Sequence, residues 1–169
     1  MNILLTGSTG FIGSNIAQRL VNKNKLFIII RNKKKNSKFK NKNIKIINFR
    51  NYENLGKKLT RIKVNTVIHA ATHYVKNHDI NDLQKLANSN ILLGNIILEN
   101  LSNMKVKKFI NFSTVWEDFN GIKNNFFNLY ATYKKAFSLL IDYYEKKEKK
   151  IKFYKLMISD TFGSNDNRK

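Results

Sequence analysis

Apolar and polar residues alternate along this chain in two different ways. Short runs of β-branched and other apolar residues are separated by longer segments in which apolar residues recur every three or four positions, a combination typical of βαβ units with a parallel sheet. The apolar runs predict strands at 2–6, 26–30, 44–48, 64–70, 107–113 and 151–158. The helical spacing predicts helices at 14–23, 82–102 and about 127–147. Because crossovers between parallel strands are nearly always right-handed, we expect an α/β fold, a doubly wound parallel sheet with helices on both faces.

A glycine-rich segment, TGSTGFIG, joins the first predicted strand to the first predicted helix. Gly7 permits a tight turn, Gly10 lets the backbone approach a pyrophosphate, and Gly13 allows the helix to pack closely on the strand. The N-terminus of the helix presents N–H groups and a positive dipole end to phosphates. Three glycines also occur in ordinary turns, but this position between strand and helix predicts a Rossmann-like dinucleotide-binding loop. Its expected contacts are Gly7, Thr9, Gly10, Phe11, Ile12 and Gly13.

The end of the second predicted strand bears on the choice between NAD and NADP. A carboxylate at this place usually holds the ribose 2′-hydroxyl of NAD, whereas an arginine accommodates the 2′-phosphate of NADP. The chain has no Asp or Glu before Glu53, and Arg31 follows the strand. The sequence therefore favours NADP as the cofactor. NAD is the alternative if Arg31 is an ordinary surface residue.

Tyr130 and Lys134 stand four residues apart in YATYK, within the last predicted helix, so both side chains leave one face. An ammonium beside a phenol favours the phenolate, and we expect the pKa of Tyr130 to lie below its usual value of about 10. Such a tyrosine exchanges a proton with a substrate hydroxyl or carbonyl while a nicotinamide exchanges hydride. Alone, this pair is usually a surface contact. Behind a glycine loop and a βαβ pattern, it indicates a catalytic site.

These motifs resemble those of the extended short-chain dehydrogenase/reductases, the NAD(P)-dependent sugar-nucleotide epimerase/dehydratase family. The resemblance extends from Met1 to the last residues, in the order of the family: TGSTGFIG, VIHAAT at 67–72, Asn90, FINFSTVW at 109–116, YATYK and DTFGSNDNRK. It implies a nucleotide-sugar substrate. Within the family, the chain looks most similar to reductases and epimerases of nucleotide-linked deoxysugars, such as CDP-abequose synthase-like enzymes.

The resemblance also implies roles for individual residues. Thr114 is expected to hydrogen-bond the reacting carbonyl, with Ser113 as the second choice, although FSTVW is also consistent with an ordinary strand end. Asn90 would be the structural asparagine of the central helix. The expected catalytic set is Thr114, Tyr130 and Lys134. The expected cofactor contacts beyond the glycine loop are Arg31, His69, Ala70, Ala71, Thr72, Tyr130 and Lys134.

The chain departs from the pattern of the family in two places. In 4,6-dehydratases of the family an Asp-Glu pair follows the catalytic Thr, whereas Val115 and Trp116 follow Thr114 here, and Glu117 and Asp118 come later. A keto-reductase or epimerase is therefore preferred to a dehydratase. The chain also ends after DTFGSNDNRK, where the family continues into the small domain that holds the sugar. We expect residues 1–169 to form the dinucleotide-binding domain, with the substrate domain largely absent.

The composition limits other functions. With 169 residues, 42% of them hydrophobic, the chain is long enough to bury a core as one domain. It has no cysteine, which excludes disulfides and thiolate metal sites, and no metal is predicted. No apolar stretch approaches the roughly 20 residues of a membrane span, and the first apolar run starts too near Met1 for a signal peptide. We expect a cytoplasmic protein with no membrane contact.

The formal charge of +21 is the strongest signal of the composition. Its lysines are spread along the chain, apart from a dense block, RNKKKNSKFKNK at 31–42. This block is interpreted first as a solvated loop and second as an attractor of phosphorylated ligands. A nucleic-acid or polyanion binder is the least favoured function, and its affinity would fall steeply with salt.

Two functional hypotheses rank above polyanion binding. The first is an NAD(P)-dependent oxidoreductase or epimerase acting on a nucleotide-linked sugar. The second is a truncated or split dinucleotide-binding protein without independent catalysis, whose substrate domain a separate chain supplies. By the resemblance, we also expect a homodimer formed through helices 82–102 and 127–147.

Overall fold

The computed structural model describes residues 1–31, 39–163 and 166. Within these residues, six strands and five α-helices alternate for most of the chain. The strands are β1 (Asn2–Thr6), β2 (Lys25–Ile30), β3 (Ile44–Asn48), β4 (Thr66–His69), β5 (Lys108–Thr114) and β6 (Lys152–Ile158). The helices are α1 (Phe11–Leu20), α2 (Tyr52–Leu59), α3 (Ile80–Ala87), α4 (Leu93–Glu99) and α5 (Leu129–Lys147). A π-helical turn (Asn88–Leu92) joins α3 to α4, and an irregular 3₁₀ segment (Val115–Gly121) follows β5.

The six strands form one parallel sheet in the order β3-β2-β1-β4-β5-β6. The chain moves outward from β1 to β3 and then returns to place β4 on the other side of β1. At such a reversal the two crossovers leave in opposite directions and open a crevice beyond the carboxyl ends of the strands. The predicted Rossmann-like doubly wound fold is therefore confirmed.

The two faces of the sheet are covered by separate apolar clusters. Along β1, Leu4 belongs to the cluster that α2, α4 and α5 cover, whereas Ile3 and Leu5 belong to the cluster that α1 covers. Successive side chains of a strand point to opposite faces, so a strand buried on both sides reads as a continuous apolar run. This is why β1, β2 and β4 were recognisable from their apolar runs.

Helix boundaries differ from the predictions where local geometry decides them. Helix α1 begins at Phe11 rather than at residue 14, because Gly10 is its extended N-cap residue. The predicted helix 82–102 is interrupted by the π-helical turn and ends at Glu99. Helix α2 was not predicted. It has only eight residues, starts after the capping side chain of Asn51, and buries Leu55 and Leu59.

Among the described residues, none of the helices has the length and apolar character needed to cross a membrane. The same residues contain no group of three or more His, Cys, Asp or Glu side chains arranged to hold a metal ion. Residues 32–38 of the predicted basic block lie outside the described residues, as do residues 164–165 and 167–169 of the last motif.

Candidate active site

A crevice of about 930 Å³ opens beyond the carboxyl ends of the central strands. The loop after β1, the end of β2, the loop after β4, the end of β5 and the first turn of α5 all contribute to its walls. The predicted cofactor contacts that line it are Gly7, Thr9, Gly10, Phe11, Ile12, Gly13, Arg31, Ala70, Ala71, Thr72 and Tyr130. Thr114 also lines it, whereas His69 and Lys134 lie beneath its lining.

The glycine loop fits closely against its neighbours at two of its three glycines. Gly7 has φ of +73°, and a Cβ there would stand 2.5 Å from the carbonyl of Ala70. A Cβ on Gly13 would stand 2.2 Å from the carbonyl oxygen of Gly7. At Gly10 the nearest atom would be 3.4 Å away, and this residue is exposed at the crevice. Gly7 and Gly13 are thus required by the fold itself, while Gly10 leaves space beside the N-terminus of α1.

Arg31 carries a positive charge to the end of β2. It lines the crevice, and its Nη1 donates a hydrogen bond of 3.1 Å to Oγ of Ser89 in the π-helical turn. This bond connects the end of β2 to the central helical segment, which consists of α3, the π-helical turn and α4. In dinucleotide-binding sheets, the end of the second strand is where the 2′-substituent of an adenosine ribose is usually recognised.

His69, for which the resemblance implies a cofactor contact, lies outside the lining of the crevice. Its side chain is buried below the crevice, packed 5.2 Å from the ring of Phe137, and its Nδ1 hydrogen-bonds with Oγ1 of Thr6 at 2.9 Å. Burial lowers the pKa of His69 to about 3, with the charge of Lys134 acting in the same direction. The imidazole is thus neutral at neutral pH. The Thr6 hydroxyl also accepts a hydrogen bond from the backbone N–H of Ala71. The two hydrogen bonds of Thr6 therefore fix the start of the loop after β4.

Asn90 connects the loop after β4 to the central helical segment. Its Oδ1 accepts the Thr72 hydroxyl at 3.1 Å and the His73 N–H at 2.7 Å, while its Nδ2 donates to the His73 carbonyl at 3.0 Å. The π-helical turn carries this side chain, and such turns are frequent at functional sites. Asn90 therefore holds one wall of the crevice in place.

Tyr130 and Lys134 do not form the simple pair that their spacing suggested. Tyr130 lines the crevice, but burial raises its pKa, and the charge of Glu117 raises it further, while hydrogen bonding with Thr72 lowers it. Lys134 is only 5% exposed, and burial lowers its pKa to about 8, with Glu117 opposing that change. The expected depression of the tyrosine pKa is thus not found. Burial is the largest cause of the raised pKa of Tyr130.

Two adjacent hydroxyls at the end of β5 have different surroundings. Thr114 lines the crevice, and its Oγ1 accepts the N–H of Trp116 at 3.3 Å. Ser113 is buried, and its hydroxyl donates a hydrogen bond to the carboxylate of Glu117. Glu117 is 2% exposed, and burial raises its pKa against the opposing effects of Ser113 and nearby lysines. In the sequence, Glu117 stands out only as an acid displaced from the dehydratase position, since nothing in its local pattern indicates burial.

An aromatic wall, made of Tyr74, Trp116, Phe127 and Tyr130, stands beside the two hydroxyls. The Trp116 ring lies 5.0 Å from Phe127 and 5.7 Å from Tyr74, and Tyr74 meets Tyr130 edge to face at 5.1 Å. Tyr74, Trp116 and Tyr130 line the crevice. This wall could not be recognised in the sequence, because Tyr74 and Phe127 come from loops far apart in the chain. The wall gives this part of the crevice a largely aromatic surface.

The chain matches the family model described as "NAD dependent epimerase/dehydratase family" over residues 3–169. It is 30% identical over 172 residues to CDP-abequose synthase of Yersinia pseudotuberculosis, covering 99% of this chain and 58% of that protein. Two solved structures share its fold. UDP-glucuronic acid 4-epimerase from Bacillus cereus, in complex with NAD, has a TM-score of 0.79 at 23% identity, covering 96% of this chain and 57% of that one. A UDP-glucose 4-epimerase has a TM-score of 0.81 at 20% identity, covering 98% and 53%. The chain thus spans somewhat more than half the length of these relatives.

Proposed function

Since the chain belongs to the NAD-dependent epimerase/dehydratase family, we propose that it binds a nicotinamide dinucleotide in the crevice and supplies acid–base groups for chemistry on a nucleotide-linked sugar. The observation that carries this proposal is that Tyr130 and Thr114 line the same crevice as the glycine loop. The relatives' names support the substrate class, because they include a CDP-linked and two UDP-linked sugars.

The residues present fit a dinucleotide. Gly10 leaves open the space into which a Cβ would otherwise project, next to the N-terminus of α1, where a pyrophosphate is favoured by backbone N–H groups and the helix dipole. Gly7, Gly10 and Gly13 would hold the pyrophosphate, and Arg31 would hold the adenosine ribose. When bound, the nicotinamide supplies a hydride donor and acceptor.

We propose that NADP is preferred over NAD, because the cation at the end of β2 is Arg31 and no carboxylate precedes Glu53. Solved relatives in complex with NAD make NAD the alternative. An Arg31→Gln variant tests the preference by calorimetry. We expect it to weaken NADPH binding by about tenfold, since a charge-assisted bond to a phosphate contributes roughly 1.4 kcal/mol or more, and to leave NADH binding within about twofold. Equal losses for both cofactors would contradict the preference.

In the proposed reaction, Tyr130 moves the proton. Because burial keeps its phenol protonated, Tyr130 is suited to donate a proton to a carbonyl oxygen that is being reduced, and its phenolate takes a proton from a hydroxyl in the reverse direction. Thr114 would orient the carbonyl through its hydroxyl. Lys134, beneath the crevice, would stabilise the phenolate by its positive charge and anchor the ribose of the cofactor.

A Tyr130→Phe variant tests the enzymatic proposal. Turnover of CDP-, UDP- and dTDP-linked keto- and hydroxyhexoses is followed through absorbance of the reduced cofactor. We expect the variant to lose turnover by about 100-fold or more while NADPH affinity stays within about twofold, because the ring is retained. Tyr133→Phe, a partly buried neighbour on the same helix, serves as the control and should keep its turnover. Unchanged turnover in Tyr130→Phe would remove the proposal.

A second function, a dinucleotide-binding protein completed by a separate chain, is favoured by the surface of β6. This edge strand exposes three apolar side chains, Tyr154, Leu156 and Met157. Exposed apolar side chains along a sheet edge often mark a surface that another segment covers. In this case the chain alone binds NADPH without turnover, and activity appears only after a chain carrying the substrate domain is added.

We also propose a homodimer formed through the α3–α4 path and α5. On α5, Leu139 and Tyr143 are 62% and 59% exposed, which is unusual for large apolar residues on a helix that is otherwise packed on the sheet. Light scattering after size exclusion should give twice the mass of one chain. A Leu139→Glu variant should give the mass of one chain, because it places a charge in the interface. An unchanged mass in the variant would contradict this arrangement.

A further inference from the structure

The side chain of Arg31 is held by a residue that lies outside the crevice lining. Its Nη1 donates a hydrogen bond of 3.1 Å to Oγ of Ser89, the second residue of the π-helical turn. Ser89 is only 1% exposed and does not line the crevice, whereas Arg31 is exposed and lines it. The two residues are 58 positions apart in the chain, so their contact exists only in the folded protein. A buried serine thus supports a cation at the surface of the crevice.

Tyr52, the first residue of α2, supports the same region from another side. Its hydroxyl donates a hydrogen bond of 3.1 Å to the backbone carbonyl of Asn88, in the π-helical turn. Burial raises the pKa of Tyr52, while the charge of Arg31 and a hydrogen bond with it lower that pKa. The phenol therefore lies next to the guanidinium as well as next to the turn. Arg31, Tyr52 and the beginning of the π-helical turn form one contact group at the end of β2.

The π-helical turn carries two adjacent side chains to two walls of the crevice. Such turns are rare in helices and frequent at functional sites. Here the backbone N–H of Leu93 bonds to the carbonyl of Asn88, five residues earlier. Ser89 then contacts Arg31 at the end of β2, and Asn90 contacts the loop after β4. The role of Asn90 concerns that loop, so the bond of Ser89 to Arg31 requires its own explanation.

An arginine binds a ligand more tightly when its side chain is ordered before the ligand arrives. Ordering a long side chain on binding lowers the affinity, and a side chain that is already held in place avoids most of this loss. The planar guanidinium presents five N–H donors in a fixed fork that matches the oxygens of a phosphate. The bond to Ser89 uses one of these donors and restricts the orientation of the whole plane. The serine therefore prepares the guanidinium for an anion in the crevice.

We propose that Ser89 is a positioning residue for Arg31: its hydroxyl holds the guanidinium at the end of β2 in the orientation that receives the 2′-phosphate of NADP. Because Ser89 does not line the crevice, it acts on a bound cofactor through Arg31. Tyr52 assists by its contacts with the guanidinium and the π-helical turn. The role of Ser89 in cofactor choice rests on the proposed dinucleotide site, whereas its bond to Arg31 belongs to the folded chain itself.

The first test measures the affinity of the full chain for NADPH and for NADH by calorimetry. Ser89→Ala removes the acceptor and keeps a residue of high helix propensity. We expect NADPH affinity to fall about threefold to tenfold, because Arg31 must then be ordered on binding, and NADH affinity to stay within about twofold. Ser89→Thr retains the hydroxyl and should restore NADPH affinity at least in part. Equal losses for the two cofactors, or an unchanged or higher NADPH affinity in Ser89→Ala, would overturn the inference.

A double variant shows whether Ser89 acts through Arg31. Arg31→Gln removes the group that Ser89 holds, so adding Ser89→Ala to it should change NADPH affinity by less than about twofold. Losses of the two single variants that multiply in the double variant would show that Ser89 acts independently of Arg31. As a matched control, Ser138→Ala replaces another buried serine, on α5, and should leave both affinities unchanged.

The second test needs no cofactor. Nitrogen-15 relaxation of the Nε–Hε group of Arg31 measures the order of its side chain on the picosecond-to-nanosecond timescale. We expect the order parameter to fall in Ser89→Ala and to stay unchanged in Ser138→Ala. Tyr52→Phe, which retains the ring and removes the hydroxyl contacts, should lower it as well. An order parameter in Ser89→Ala equal to that of the unmodified chain would show that the serine does not hold the guanidinium.

Together the two tests separate failure of the inference from failure of the proposed function. A chain that binds neither NADPH nor NADH would remove the proposed function, and a lower order parameter in Ser89→Ala would still identify Ser89 as the residue that orients Arg31. NADPH binding that is the same in the unmodified chain and in Ser89→Ala would remove the inference and leave the dinucleotide site intact. NADPH binding that Arg31→Gln does not weaken would have the same consequence.

Discussion

A second cavity, of about 800 Å³, lies at the amino ends of β5 and β6, at the opposite side of the sheet from the crevice. The two differ in how they hold positive charge. The amino-end cavity is lined by seven exposed lysines: Lys105, Lys107, Lys108, Lys147, Lys149, Lys150 and Lys152. The crevice has Arg31 in its lining and Lys134 buried beneath it.

The two cavities differ in the number of their positive charges and in whether those charges are exposed or buried. Exposed charges are screened over about 8 Å at physiological ionic strength and interact weakly. A buried charge is not screened in this way, and its protonation depends on each neighbour. The lysines of the amino-end cavity therefore attract anions in general, whereas the crevice combines Arg31 in its lining, an open glycine loop and a buried lysine. We therefore expect the crevice, which has fewer charges, to be the selective site.

The largest effect is expected on the free energy of unfolding when the pH is lowered, because a residue buried below the crevice then takes up a proton. His69 has a folded pKa of about 3 against 6.5 unfolded, so between these values the unfolded state binds the extra proton. Stability is present above pH 6.5 and is lost as pH falls toward 3, by up to roughly 5 kcal/mol. Urea unfolding at pH 3.5 and 6.5 measures this change, which His69→Asn should largely remove. The control variant His78→Asn, at an exposed histidine, should keep this dependence of stability on pH. Equal pH dependence in both variants would show that His69 is not buried and neutral.

The next largest effect compares two glycines of the same loop. A methyl at Gly13 would overlap the Gly7 carbonyl oxygen, and overpacking of this kind costs about 1–3 kcal/mol. Gly10 tolerates a methyl sterically, so Gly10→Ala should keep its stability within about 0.5 kcal/mol. We expect its NADPH affinity to fall about tenfold, because the methyl occupies the approach of the backbone to the pyrophosphate. Calorimetry and urea unfolding separate the two outcomes, and an unchanged affinity in Gly10→Ala would place the pyrophosphate elsewhere.

The smallest effect is expected at the amino-end cavity. A Lys149→Gln/Lys150→Gln chain loses two charges far from the crevice. The seven residues of β6, a length of about 23 Å, separate these charges from the crevice, which is more than twice the screening length of about 8 Å at 0.15 M ionic strength. NADPH affinity should therefore change by less than about twofold. A loss comparable to that of Arg31→Gln would break the distinction between the two cavities.

The fold was predictable from the sequence because its signals are local. Strands buried on both faces read as apolar runs, and the glycine loop was recognisable by its place between β1 and α1. Helix α2 was missed because eight residues carry too short a periodic pattern. The crevice residues followed from the family motifs, including Tyr130 and Thr114.

The electrostatics of the site were not predictable from the sequence, since burial is set by tertiary packing. His69 stands in a motif that suggests cofactor contact, yet Phe109 and Phe137 enclose its ring. The spacing of Tyr130 and Lys134 suggested a depressed tyrosine pKa, but burial and Glu117 reverse the direction. Glu117 contacts Ser113 because the 3₁₀ segment begins directly after β5 and turns the chain back toward the end of that strand.

The most direct test of the dinucleotide site uses Trp116, the single tryptophan of the chain, which lines the crevice. Its emission overlaps the absorption of a reduced nicotinamide, so NADPH bound in the crevice should quench it and acquire sensitised emission. We predict saturation at one NADPH per chain, about tenfold weaker affinity in Gly10→Ala, and no change in Lys149→Gln/Lys150→Gln. A Trp116→Phe chain should still bind NADPH by calorimetry without energy transfer. Binding that disappears with the two lysines and is unchanged in Gly10→Ala would contradict the account and assign the cofactor to the amino-end cavity.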